Sequence, residues 1–490
     1  MGEFGQMLPR LVTAVPGPAS RALAARLAAV ESRNITQISD AGPIFWAEAR
    51  GANVRDADGN VYVDLTAGFG VAAAGHANPR VTRALAEQAA RLPHALGDVH
   101  PSDAKVALLE RLAELAPGGL GVTILASSGA EAVEAALKTA LLRTGRPGVL
   151  AFTGGYHGLT YGALAATWRA EFRRPFEAQL NRGVRFAPYP YVYRWAEQLA
   201  GVRGQGEGKG EGKGGLGDGG GRGGVREGVE RQEDADEVCA EALEAARRIV
   251  EASASSDAPI GAVLVEPVQG RGGIVVPPAG FLAGLRALAD EHGLVLIFDE
   301  VYTGFGRTGR LFACEHWGVL PEVLVVGKAL AGGLPLSAAI GTAAVMEAWP
   351  PSTGEAIHTS TFLGNPVACE AALAQLAEVE ERGLVARAAA LGAWLRERLA
   401  GWVDRFASVG EVRGLGLMQG VELVEDRATR RPATALARRV ADGALRRGVL
   451  LLTEGPGGNV LAFTPPLVIT EAQLEHALGV LEAELEAAGA

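Results

Sequence analysis

Two side chains in this sequence are of types that can act together on one bound molecule: an acid, Asp299, and an amine, Lys328. Each closes an apolar run. Val295 to Phe298 leads straight into Asp299, and Val323 to Val326 leads through Gly327 into Lys328. Unbroken runs of this kind read as strands buried on both faces. In a parallel sheet the residues just beyond the strands' carboxyl ends face a common crevice, so the acid and the amine are expected to converge there. Taken singly, Asp299 reads as a turn former and Lys328 as a solvated strand-end lysine. Together, among Gly304, Gly306, Gly309, Gly332 and Gly333, they read as a site.

An amine able to form a Schiff base and a carboxylate able to keep a ring nitrogen protonated are what pyridoxal phosphate requires. Its phosphate needs a cradle. The run VTILASSGAEAVEAALKTALLRTG, from Val122, reads as strand, tight turn and helix. Unpaired N–H groups at a helix start carry the positive end of the dipole, so Gly129 and Ala130 are the expected phosphate contacts. A turn of this kind is also common as plain structure. Another strand, VLAFTGGYHGLT, ends at Gly154 and Gly155 and is followed by Tyr156 and His157. An aromatic at this place can stack on a ring. His157 reads as a loop hydrogen-bonder rather than a base. Glu266 closes the strand of GAVLVEPVQG and is expected to give the site polar support.

DEVYTGFGRTG and GKALAGGLPLSAAIG resemble the class III aminotransferases, the group that includes the ornithine and 4-aminobutyrate enzymes, and further motifs extend the likeness from about residue 42 to the C-terminus. The resemblance implies a pyridoxal-phosphate fold of type I: an α/β protein with a large doubly wound, mixed-sheet domain and a smaller α+β domain. It implies that Lys328 and Asp299 are catalytic, and that Ser128, Gly129, Ala130, Tyr156, His157, Glu266, Val301 and Thr361 join them around the cofactor, with Tyr156 stacked on its ring. Thr361, in HTSTFLGNP, lies where family members reach the phosphate of a neighbouring subunit, which implies a homodimer or a dimer of dimers; a helix-capping threonine is the alternative. Phe69, in TAGFG, lies where 4-aminobutyrate members line the substrate pocket, and a buried loop aromatic is the equal alternative.

The sequence departs from the 4-aminobutyrate and ornithine members at the places that hold a substrate carboxylate. Those enzymes commonly have an arginine before the PPL of the last strand, a glutamate five after that of EPVQG and, in some, an arginine three after the stacking aromatic. Here those places hold Ala462, Arg271 and Leu159. A bidentate arginine clamp is the obvious means of holding a carboxylate, so Arg271 is the expected substrate contact, against the alternative of a solvent-exposed loop arginine. The expected reaction is transfer of an amino group from an amine or amino acid to a 2-oxo acid, with pyruvate rather than 2-oxoglutarate suggested by the missing switch. A racemase, epimerase or aminomutase on the same fold is the alternative, because cofactor motifs do not encode the reaction, and a non-catalytic relative is a third.

The positioning elements follow the βαβ alternation of a doubly wound sheet. Three stretches are expected: 1–75, an N-terminal arm with the first part of a small domain; 76–345, the large cofactor-binding domain; and 346–490, the rest of the small domain. GANVRDADGNVYVDL reads as a hairpin turning at Asp58, Gly59 and Asn60. Residues 197–237, almost without large apolar side chains and rich in glycine, are expected to be a disordered insertion. The 490 residues suffice for two cores, and a net charge of −10 argues against nucleic acid as a partner. Cys239, Cys314 and Cys369 have no metal or disulfide spacing, and no metal is expected. A reducing cytoplasm is the expected compartment, with no membrane span and no signal core in MGEFGQMLPR.

Overall fold

In the computed structural model, which describes residues 3–37, 42–203 and 229–489, a seven-stranded sheet carries the site. Across the sheet the strands are Leu120–Ala126, Ser337–Thr342, Val323–Val326, Val295–Asp299, Ile260–Val265, Gly148–Phe152 and Val184–Ala187. Ser337–Thr342 is antiparallel to both neighbours and every other pairing is parallel, so the sheet is mixed, as expected. The apolar runs are explained by burial on both faces. Val263, Val265, Leu296 and Phe298 enter one core cluster, while Ala262, Leu264, Val295 and Ile297 enter another on the opposite side. Helix Phe281–His292 covers the first face through Phe281, Leu285 and Leu288, and helix Gly129–Thr144 covers the second through Ala132, Val133 and Ala136.

Two smaller sheets adjoin this one. One joins Trp46–Arg50, Asn53–Asp56 and Val61–Asp64 to Val449–Leu450, so segments far apart in sequence meet in a single sheet. The hairpin turns where Asp58, Gly59 and Asn60 indicate, and the Asp58 carboxylate accepts from the N–H groups of Ala19 and Ser20 at 2.6 and 2.9 Å, pinning helix Pro18–Val30. The other comprises Val409–Leu415, Met418–Leu423, Val460–Phe463 and Leu452–Glu454.

The glycine-rich insertion needs a correction at its flanks. Trp195–Arg203 and Val229–Ser253 are helices, so residues 197–203 and 229–237 are helical rather than disordered; the middle of the tract, residues 204–228, lies outside the described residues. The second helix, Val229–Ser253, runs well beyond the tract. It is held by packing: Val238, Cys239, Ala242, Ala246 and Val250 are buried on one stripe, and that stripe outweighs the polar composition around it.

Candidate active site

Five strands end on the same edge of the large sheet, and their last residues or following turns converge on a cavity of about 330 Å³. Its lining includes Gly129, Ala130, Tyr156, His157, Glu266, Arg271, Asp299, Val301, Tyr302 and Lys328. Nine of these were named from the sequence; Tyr302 was not. Ser128 adjoins the cavity as the N-cap of helix Gly129–Thr144, its hydroxyl accepting from Glu131 N at 3.2 Å and its carbonyl accepting from Ser337 Oγ at 2.6 Å. The helix's first i→i−4 bond is donated by Ala132 to Ser128 at 3.0 Å, which leaves the Gly129 and Ala130 N–H groups ahead of the ladder and at the cavity wall. A Cβ at Gly129 would stand 2.8 Å from Val301 Cγ1, so the approach of this helix to the Asp299 loop requires glycine there.

Asp299 is held by both oxygens. His157 Nδ1 lies 2.8 Å from Oδ2, and Val301 N donates to Oδ1 at 3.1 Å. An ionised carboxylate can only accept, so His157 Nδ1 carries the hydrogen. The imidazole is fully buried, which makes His157 the group that orients Asp299. Glu266 ties two loops together: one oxygen accepts from Tyr156 N and the other from Gly270 N, each at 2.9 Å.

Lys328 follows its strand with φ 38°, a left-handed conformation that costs an L residue about 1–2 kcal/mol. Such strain in a residue that lines a cavity marks a position under functional constraint. Burial drives the amine down to about 8, against the pull of Asp299, Glu266 and Glu454, so roughly a tenth of it is uncharged and nucleophilic at neutral pH, far more than for a free lysine. Burial also pushes Glu266 up to about 7, with His157 opposing. The folded chain therefore keeps a proton on Glu266 that the unfolded chain has lost, and stability falls as pH rises from 4.5 to about 7. Thermal melts of the cofactor-free protein across that window should show this slope in wild type and a flatter one in Glu266→Gln; equal slopes would contradict it.

Arg271 is not a free loop arginine. Its guanidinium lies 4.8 Å from the Tyr156 ring centroid, and its Nε is 3.6 Å from Oε2 of Glu454, which is 3% exposed. Both atoms are buried and lack a hydrogen bond, so a partly exposed arginine and a buried carboxylate face each other slightly beyond bonding distance. Ala462, buried at 3%, presents no arginine to it, as the sequence indicates. The carboxylate at 454 is a neighbour of Arg271 that the sequence does not show. Its one signal in the sequence is an acid closing the apolar run LLLTEG. Arg169 Nη2 donates to the carbonyls of Arg271 and Gly455, 2.8 Å each, and so fixes the loops bearing both charges.

Two named residues stand apart from this cavity. Thr361 is exposed, and Phe69 is 54% exposed with φ 62°; neither lines this cavity within the single chain, and of the two readings of Phe69 the buried loop aromatic is excluded. A left-handed turn at Gly68 and Phe69 points the chain outward before Gly70.

The cavity suits pyridoxal phosphate by its size, its amine, its oriented carboxylate and its open helix N-terminus. Among the described residues no helix is long and apolar enough to cross a membrane. The family model for class III aminotransferases matches residues 35–485. A 4-aminobutyrate aminotransferase of Mycobacterium leprae is 36% identical over 478 residues, covering 96% of this chain and 97% of that protein. An alanine/serine racemase of Pyrococcus horikoshii is 33% identical over 475 residues, covering 97% of this chain and 92% of that protein. A crystal structure of an amine transaminase from an uncultivated Pseudomonas species, in its PLP-bound form, superposes with a TM-score of 0.80 at 29% identity, covering 94% and 98% of the two chains. With an amine, a carboxylate and a phosphate-ready helix on one sheet edge, and with this match along nearly its whole length, the chain belongs to the class III aminotransferases, pyridoxal-phosphate enzymes that move an amino group from an amine or amino acid to a 2-oxo acid.

Proposed function

We propose that Lys328 is the covalent and proton-transferring amine of this transaminase, and the observation that carries the reading is its half-buried, strained placement in one cavity with Asp299. Bound pyridoxal phosphate supplies an electron sink for the substrate carbon. Around it the chain divides the work. Lys328 Nζ takes the proton from the substrate carbon and returns it, a task matched to an amine that titrates near 8. Asp299, held by His157 and the Val301 N–H, would supply a fixed negative charge to keep the ring nitrogen protonated. Gly129 and Ala130 would hold the phosphate through their N–H groups, with Ser128 closing the turn, and Tyr156 would pack on the ring. Glu266 keeps Tyr156 and the Arg271 loop in register.

For the substrate, Arg271 takes a carboxylate. In the resting site the guanidinium faces Glu454, and an incoming carboxylate replaces that partner with a bidentate one. Arg271→Ala should raise KM for carboxylate-bearing donors about 100-fold, the loss of a charge-assisted pair of roughly 3 kcal/mol, while simple amines change only a few-fold. Equal effects on both classes would remove the assignment. Pyruvate as acceptor and a cytoplasmic location complete the reading.

A homodimer with shared sites accounts for the two exposed positions. Phe69, Ile357 and Phe362 are 54, 66 and 65% exposed, an apolar cost that a second copy would relieve, and it would bring Thr361 of one subunit to the other's cofactor phosphate. Light scattering should give twice the chain mass, and Thr361→Ala should weaken cofactor retention about 10-fold without changing that mass. A monomer that keeps its cofactor would contradict this. Purified protein given a panel of amine donors with pyruvate and 2-oxoglutarate tests the reaction itself. New amino acid with consumption of donor supports it, whereas inversion of a single amino acid without 2-oxo acid turnover points to the racemase that the Pyrococcus horikoshii relative is named for.

A further inference from the structure

Tyr302, absent from the roles above, has its ring against the Lys328 amine. Nζ lies 3.6 Å from the ring centroid, well inside the range of a cation–π contact. The ring has no freedom to move. Its hydroxyl lies 3.1 Å from Thr464 Oγ1, at the end of the Val460–Phe463 strand, and Thr464 N donates to the Leu65 carbonyl at 2.8 Å. Two glycines shape themselves to its edges: a Cβ at Gly70 would stand 2.6 Å from Cε2, and one at Gly270 would stand 2.3 Å from Cδ1. Below it, Val268, Ile274, Met418 and Ala462 form the apolar cluster to which Tyr302 belongs, so the small Ala462 helps to make its room.

We infer that Tyr302 is a positioning residue for Lys328: the ring face, wedged between Gly70 and Gly270, is the seat of the amine. The inference rests on the reading of Lys328 as the covalent amine. Its physical content is a contest at one atom. Burial disfavours the ammonium, while the ring's negative face favours it and draws it to one side of the cavity. Asp299, Glu266 and Glu454 also favour the charged form and Arg271 opposes it, whereas the ring can be removed by a neutral apolar substitution that alters no charge. A seat of this kind keeps the free amine beside the substrate carbon after it leaves the cofactor, instead of letting four methylene bonds sample the cavity.

The test uses the full chain reconstituted with pyridoxamine phosphate, which has no aldehyde and leaves Lys328 free. Brief labelling with an acylating anhydride at a series of pH values, read by mass spectrometry at the Lys328 peptide, gives the amine's titration curve. Tyr302→Phe keeps the ring and should titrate as wild type does. Tyr302→Leu should titrate about half a pH unit lower, the shift expected for loss of an ordinary cation–π contact. Tyr302→Met repeats the measurement with another ring-less side chain should the leucine variant not fold. Ring-less variants that titrate with wild type overturn the inference, as does a Phe variant that shifts as far as Leu. Replacing pyridoxamine phosphate by pyridoxal phosphate separates this from the reading beneath it: Lys328 labelling should vanish with the aldehyde in wild type, and persistent labelling would refute Lys328 as the covalent amine whatever the Tyr302 curves show.

Discussion

Lys328→Ala is expected to lower transaminase turnover by about 10⁴-fold or more, because one substitution removes both the covalent attachment and the proton carrier. The fold should survive. Lys328 is half-buried, makes no hydrogen bond with another side chain among the described residues, and carries an amine whose charge burial disfavours, while alanine keeps the Cβ and with it the strain at φ 38°. Melting temperature should therefore hold or rise while the yellow colour of bound cofactor fades. Added small amines such as methylamine should restore a measurable rate, since they can stand in for Nζ in a cavity of about 330 Å³. Turnover that is unchanged, or lost only together with the fold, would contradict the role given to this residue.

The second large effect belongs to Asp299. Asp299→Asn keeps the shape and the Val301 N–H contact but removes the charge, and turnover should fall about 10²- to 10³-fold, as when one preorganised electrostatic contact is removed elsewhere. Lys328 should still capture cofactor, so colour and rate come apart in this variant where they fall together in the lysine one. His157→Ala should act in the same direction more weakly, because Val301 N still holds one oxygen of Asp299 after the imidazole is gone. An asparagine variant with wild-type kcat would show that the charge has no part in the reaction.

Much of this site could be read before any coordinates were considered, for a physical reason. Asp299, Lys328 and Gly129 each sit where an apolar run stops, and in a sheet covered on both faces the ends of such runs are forced to one edge. Local pattern therefore carried global position. What it could not carry was the pairing of distant segments. Glu454 meets Arg271 only because the Leu452–Glu454 strand folds back beside the Gly270–Gly273 turn, and Gly455 N donates to the Arg271 carbonyl at 3.2 Å. Nothing in LLLTEG announces that neighbour. Tyr302 was in view within DEVYTGFGRTG, yet a motif says which residues recur and not which ring an amine rests on.

Two other differences have equally plain causes. The glycine-rich tract was drawn too wide because composition was averaged over helix-forming flanks, and the buried stripe from Val238 to Val250 shows only at helical period. Phe69 was weighed between a pocket wall and a core aromatic, and it is neither within this single chain, since two successive left-handed residues place it outside. In the proposed dimer its use, like that of Thr361, would come from a second copy, which no reading of one chain's own contacts can supply.

The most direct test of the central claim is to reduce the purified protein with borohydride in the presence of pyridoxal phosphate and map the added mass by peptide sequencing. The account predicts one cofactor per chain, fixed on Lys328, with the label absent from Lys328→Ala. A label on another lysine, or none on a protein that is folded and saturated with cofactor, would contradict it.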